Sequence, residues 1–422
     1  MTSNAHLLER RRRLLGGAYR LFYTEPVHLV SGSGVWLRDS DGKTYLDAYN
    51  NVASVGHCHP LVVEALATQA ATLNTHTRYL HEAVLLYAER LLELMPDALG
   101  NVMFTCTGSE ANDLALRAAK VFTGGTGIII TKHAYHGVTE LTAGLSPSLG
   151  AGAPPAHDVY FVSAPDPLHD GNADGTLFAS NVRAALERMR ADGVTPCALL
   201  VDTIFSSDGI QPFPRGALRL AADEMRAAGG VFIADEVQAG VGRTGTHMWG
   251  FARHGVVPDL VTMGKPLGDG HPIGAVAARP AIFDMFGDKA RYFNTFGGNP
   301  VSARVGLAVL DVIRDEGLLE NAATVGAAME QAVRFLQSRE ACIADVRAAG
   351  LYLGAEIVDT ATGAPDAVRA AAIVNAMRAD GVLISNSGPA GNVLKIRPPL
   401  CFSLHNVDRL ASCLESSIAM SA

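Results

Sequence analysis

Three apolar runs of this chain end on residues able to do chemistry. "ALLVD" ends on Asp202, "GVFIAD" ends on Asp235, and "DLVTM" leads through Gly264 into Lys265. Pro266, Gly268 and Gly270 follow Lys265 and constrain the backbone around it. A lysine kept for solubility belongs on a helix face, whereas this one sits in a shaped loop at a strand end. An amine held there attacks a carbonyl once it is neutral, which requires its pKa to fall from about 10.4 through desolvation or a nearby cation. Asp235, one crossover earlier, reads equally well as a partner in catalysis or in a buried salt bridge.

Two other segments narrow the chemistry. "FTCTGSEANDLALRAAK" (104–120) is a strand end, then Thr107-Gly108-Ser109, then a helix. Small residues at a helix N-terminus let backbone amides approach an anion, and the helix adds its partial positive charge. The Walker lysine and the G-x-G-x-x-G spacing are absent, so neither a nucleotide loop nor a dinucleotide fold is indicated. "TKHAYHGVT" (131–139) sets Tyr135 and His136 against Gly137 just beyond a strand, where an aromatic side chain can stack on a flat ring. An anion cradle, a stacking aromatic, a buried acid and a strand-end lysine together suit pyridoxal 5'-phosphate.

These residues need a rigid frame. Short apolar strands alternate with helical stretches such as "SNVRAALERMRADG" and "GALRLAADEMRAAGG", each closed by glycine. That alternation predicts an α/β fold whose mostly parallel sheet is covered on both faces, with ligands beyond the carboxyl ends of the strands. Residues 51–305 read as this large domain. Residues 306–422 read as a smaller α+β domain, in which the long helical stretch 302–340 leads into mixed strands. Residues 1–50, with a hairpin turning at Asp41-Gly42, are expected to join the small domain.

Composition bounds the rest. The 422 residues are 48% hydrophobic and 18% charged, with a net charge of −8. A chain this acidic is expected to avoid nucleic acid and anionic membranes, and the basic run Arg10–Arg13 reads as a solvated or subunit-contact helix face. Six scattered cysteines without C-x-x-C spacing, and no apolar run near 18 residues, point to a reduced cytoplasmic protein without a membrane span. His57 and His59 lack further ligands at metal spacing.

"TGSEAND", "HAYHG", "ADEVQAGVGRTG", "TMGKPLG" and "NTFGGNP" follow one another between about Tyr45 and Phe402. In these motifs the chain resembles the class III pyridoxal-phosphate aminotransferases of fold type I. The resemblance implies a seven-stranded large-domain sheet and a small domain built from both termini. It implies that Lys265 captures the cofactor aldehyde and moves the proton, and that Asp235 holds the ring nitrogen. Val237 and Tyr135 would take the two ring faces, His136 would lie beside them, and Gln238 would reach the ring hydroxyl. Gly108 and Ser109 would bind the phosphate. Thr295 would reach the phosphate of a partner subunit, giving a homodimer with shared active sites.

Three stretches depart from ordinary members. In "VDTIFSSDG" Asp202 and Thr203 replace the usual Glu-Pro, and "YNNVASVGHCHP" and "NVLKIRPPLCF" are distinctive. All three resemble the phospho-lyase branch, which eliminates phosphate from small phosphorylated amines such as O-phosphoethanolamine or phosphohydroxylysine. Such a reaction needs a second anion site. Arg397 is the first candidate, because its planar fork matches phosphate, with Arg20, Arg78 and Asn50 behind it. The competing reading is an ω-aminotransferase passing an amine to a keto acid, in which Arg397 would take a carboxylate instead.

Overall fold

The computed structural model describes residues 4–172 and 174–421. A helix, Asn4–Leu15, comes first, and three short strands follow it: β1 (Leu29–Ser33), β2 (Trp36–Asp39) and β3 (Thr44–Asp47). β2 and β3 pair antiparallel around the turn at Asp41-Gly42. Seven strands follow, interleaved with helices: β4 (Asn101–Thr105), β5 (Gly127–Thr131), β6 (Val159–Val162), β7 (Pro196–Asp202), β8 (Val231–Asp235), β9 (Leu260–Met263) and β10 (Gly274–Ala278). They form one sheet in the order β4-β10-β9-β8-β7-β5-β6. The ladders from β6 through β9 are parallel, and β10 runs antiparallel to both its neighbours.

Every residue of β5, β8, β9 and β10 is buried, which is why these strands read as unbroken apolar runs. The two faces feed different cores. Ile129, Leu199, Phe232 and Val261 pack with Phe178 and Val182 of helix Thr176–Ala191 and Leu218 of helix Ala217–Ala227. Ile128, Ala198, Ile233 and Leu260 pack with Leu114 and Ala118 of helix Gly108–Thr123. Each such Leu, Ile, Val or Phe contributes roughly 1.5–3 kcal/mol on burial.

The C-terminal part adds β11 (Ile343–Ala348), β12 (Leu353–Ile357), β13 (Val382–Leu383), β14 (Ser385–Ser387) and β15 (Val393–Ile396). β11, β12, β15 and β14 make an antiparallel sheet. β13 instead pairs parallel with β3, so an N-terminal and a C-terminal strand share one small sheet. The stretch 302–340 is two helices, Pro300–Asp315 and Leu318–Gln337, rather than one. Gly317 separates them at φ 63°, a left-handed conformation that stops a helix. Among the described residues no helix is long and apolar enough to cross a membrane.

Candidate active site

The site is built on adjacent strand ends. Asp202 of β7 lies opposite Asp235 of β8, and Asp235 lies opposite Thr262 of β9. Beyond β9 the chain turns at Gly264 into a short 3-10 turn that begins with Lys265. A cavity of about 280 Å³ opens over this ledge. Every residue expected to hold the cofactor lines it except Thr295, and Asp202 lines it too.

Asp235 is held by three donors. Its Oδ2 accepts from Asn112 Nδ2 and from His136 Nδ1, each at 2.8 Å, and its Oδ1 accepts from the Val237 amide at 3.0 Å. The acid is 3% exposed. With the carboxylate oxygen accepting, the contact sets the tautomer of His136, with the proton on Nδ1. His136 therefore positions Asp235, a duty that its place beside Tyr135 in the sequence did not reveal. Asn112 was missed altogether. It stands four residues after Gly108, one helical turn along the same face, and that spacing was the available signal. Its Oδ1 accepts from Thr262 Oγ1 at 2.6 Å, so the helix and two strands meet at this one amide.

The anion cradle is the start of helix Gly108–Thr123. Thr107 caps it, its hydroxyl accepting from the Glu110 amide at 3.1 Å, while Glu110 Oε2 accepts from the amides of Cys106 and Thr107. The amides of Gly108 and Ser109 have no acceptor among the described residues. They are the first N–H groups of a 16-residue helix, so they and the helix dipole face the cavity together. Close packing demands the glycines here. A Cβ on Gly108 would lie 2.7 Å from Val237 Cγ2, and one on Gly137, at φ 138°, would lie 2.5 Å from Ser109 Oγ.

Lys265 makes no ion pair with Asp235, so the salt-bridge alternative is not what forms. Its Nζ lies 5.9 Å from the Tyr135 ring centroid. Burial, then the positive charge of Arg397, brings this amine down to about 8, against the opposing pull of Asp235. Val237 (7% exposed) and Tyr135 (36% exposed) flank the space beside it.

The substrate-side candidates fare unevenly. Arg397, 6% exposed, donates from Nε and Nη2 to the Tyr49 carbonyl at 3.2 and 3.1 Å and from Nη1 to Gln238 Oε1. Gln238 thus links the cavity wall to Arg397. Asn50 accepts from the Val52 amide at 2.9 Å, a turn duty, and Val52 rather than Asn50 lines the cavity. Arg20 is exposed and does not line the cavity. Arg78 is exposed as well, its guanidinium 3.9 Å from the Phe293 ring centroid. Thr295, two residues beyond Phe293, is also exposed. One chain therefore does not bring Arg20, Asn50, Arg78 or Thr295 to the lining of its own cavity, and Arg397 reaches that lining only through Gln238. His57 and His59 pair with Asp47 and Glu316 at 2.6 and 2.9 Å.

Residues 23–418 match the family model of the class III aminotransferases. The chain belongs to that family. It is 40% identical to the Drosophila melanogaster protein named alanine–glyoxylate aminotransferase 2-like, over 96% of this chain and 85% of that relative. It is 36% identical to ethanolamine-phosphate phospho-lyase homolog 1 of Caenorhabditis elegans, over 99% of this chain and 94% of that relative. Among solved structures, a phospholyase from Arthrobacter in complex with phosphoethanolamine superposes with a TM-score of 0.95 and 42% identity, covering 98% of this chain and 99% of that one. The fold is fold type I, and the cofactor of the family is pyridoxal phosphate. The residues here fit it: two unclaimed amides for its phosphate, a pinned acid for its ring nitrogen, and an unpaired, partly deprotonated amine for its aldehyde.

Proposed function

We propose that the protein is a phospho-lyase for a small phosphorylated amine, O-phosphoethanolamine first among them. The overall reaction takes O-phosphoethanolamine and water to acetaldehyde, ammonia and inorganic phosphate. The observation that carries this reading is the 42% identity, over almost the whole chain, to a phospholyase whose structure holds phosphoethanolamine.

The cofactor, when bound, supplies an electron sink next to the carbon that bears the substrate nitrogen. The chain's own residues do the rest. Lys265 Nζ takes the proton from that carbon, which requires the neutral amine that burial and Arg397 favour. Asp235, pinned by Asn112 and His136, holds a proton on the ring nitrogen. Gly108 and Ser109 would anchor the cofactor phosphate through their amides. Val237 and Tyr135 would take its ring between them, and Gln238, which accepts from Arg397, would reach the ring hydroxyl. As the C–O bond breaks, its electron pair leaves with phosphate, and the Arg397 guanidinium offsets that charge. Thr295 completes the cofactor site of a second copy, which makes the working unit a homodimer with shared active sites. We also assign residues 51–305 to the cofactor domain and residues 1–50 with 306–422 to the small one. Six free cysteines suit a reducing compartment, the cytoplasm.

A second reading has its own support: the 40% identical Drosophila relative is named as an aminotransferase. One assay separates the two. Purified, cofactor-loaded enzyme receives O-phosphoethanolamine and no keto acid, and phosphate and acetaldehyde are followed together. Equal amounts of both are expected over many turnovers. If neither forms, 5-phosphohydroxy-lysine is the next substrate. Turnover only when pyruvate or 2-oxoglutarate is added would make the enzyme an aminotransferase.

A further inference from the structure

A second cavity, of about 270 Å³, lies where the two assigned domains meet. The large domain lines it with Leu168 of the short helix Pro167–Asp170 and with Gln211, Pro212 and Phe213 from the stretch after β7. The small domain lines it with Arg334 of helix Leu318–Gln337 and with Asp345, Val346 and Arg347 of β11. It is nearly as large as the cofactor cavity, so one ring with a substituent fills it, and it shares no lining residue with that cavity.

The charges around it are already matched. Arg347 Nη1 donates to Asp345 at 3.1 Å and to Glu356 at 2.8 Å, and its Nη2 donates to the Gly209 carbonyl at 3.1 Å. Arg334 pairs with Glu330 at 2.8 Å. A charged ligand would shed its water here and meet no unpaired opposite charge, so the cavity favours an uncharged one. One lining group does lack a partner. Gln211 is 3% exposed, and among the described residues its side-chain amide makes no hydrogen bond. An amide carries N–H donors and a carbonyl acceptor side by side, and leaving both unmet in the interior is costly. The group that meets both at once is another amide edge. The rest of the wall, Leu168, Pro212, Phe213 and Val346, is apolar and accepts a ring. The Phe213 ring is itself held in place, with the guanidinium carbons of Arg253 and Arg215 at 5.5 and 5.8 Å from its centroid.

We propose that this cavity is a second ligand site, taking an uncharged single-ring compound whose carboxamide or lactam edge pairs with Gln211. Such an occupant touches both domains at once. It also sits at the far end of the segment that starts at Asp202 in the cofactor cavity. The Gln211 backbone N–H donates to the Ile204 carbonyl at 2.9 Å, and Arg347 holds Gly209 between them. Occupancy therefore ties the small domain to the segment that carries Asp202. The inference does not depend on which amine the enzyme consumes.

The test is a titration of the cofactor-loaded enzyme with benzamide, followed by NMR of the ligand, beside benzoate, which has the same shape and a negative charge. Benzamide is expected to bind with a dissociation constant of about 1 mM or tighter, and benzoate about tenfold or more weakly than that. Gln211→Leu should weaken benzamide by about tenfold or more, without a lower melting temperature, because it removes a buried amide that has no partner. Leu168→Trp changes a residue that is 50% exposed and fills the cavity from its rim, so it should fold and weaken benzamide as well. Absence of benzamide binding by the native enzyme, benzoate binding as tightly as benzamide, or unchanged benzamide affinity in either variant overturns the inference.

Discussion

The lowered affinity of Lys265 for its proton has a measurable consequence in the cofactor-free enzyme. With its amine at about 8 instead of 10.5, roughly a quarter is neutral near pH 7.5, against about one part in a thousand for an unshifted lysine. The ratio is roughly two-hundred-fold, or about 3 kcal/mol of differential interaction. Stopped-flow absorbance should follow pyridoxal phosphate being captured by apo-enzyme across this range. The rate is expected to climb with pH and level off just above 8. Burial is the larger cause and the charge of Arg397 the next, so Arg397→Met should move the inflection upward without restoring 10.5. The sign for stability follows from proton counting. Between about 8 and 10.5 the unfolded chain holds a proton on Lys265 that the folded chain has released, so this residue makes apo-enzyme stability rise with pH there. Apo Lys265→Met should accordingly melt above native apo-enzyme at neutral pH, by up to about 3 kcal/mol, with the gap closing as pH nears 10.5. A native inflection at 10 or higher, or one that Arg397→Met leaves in place, would refute the electrostatic argument.

Asp235→Ala strands the Asn112 amide, the His136 Nδ1–H and the Val237 N–H in the interior, and leaves the ring nitrogen without its acid. Removing one such buried partner costs roughly 3–5 kcal/mol, so cofactor affinity measured by equilibrium dialysis should fall at least a hundredfold; near-native affinity and turnover would remove the assigned role. Gly137→Ala drives a methyl group to within 2.7 Å of both Ser109 and Thr142 at φ 138°. It should weaken cofactor binding and lower stability by about 1–3 kcal/mol, whereas Gly150→Ala, also at positive φ but with nothing within 4 Å, should leave cofactor affinity unchanged.

The strand ends were legible because each apolar run stops on a polar residue, and a strand buried on both faces has no other place for one. The helix start at Gly108 was legible from Thr107, Ser109 and Glu110, whose side chains suit a capped N-terminus. His136 and Asn112 were not legible as supports of Asp235. Their contact depends on the loop after β5 and the helix after β4 being folded over the end of β8, and no local pattern reports that. The break at Gly317 was hidden because the apolar period resumes directly after it.

The pairing of β3 with β13 sets an order of events during synthesis. The seven strands of the large sheet all lie between residues 101 and 278, so the sheet and the core under helix Gly108–Thr123 can form while the ribosome is still making the rest, whereas the other core waits for residues up to Ile418. The strand at 44–47 must wait for residues 382–383, and the Tyr49 carbonyl must wait for Arg397. A chain cut short at about residue 380 would keep the cofactor ledge and lack the wall that selects a substrate. The site is thus finished last, at the moment when both ends of the chain come together.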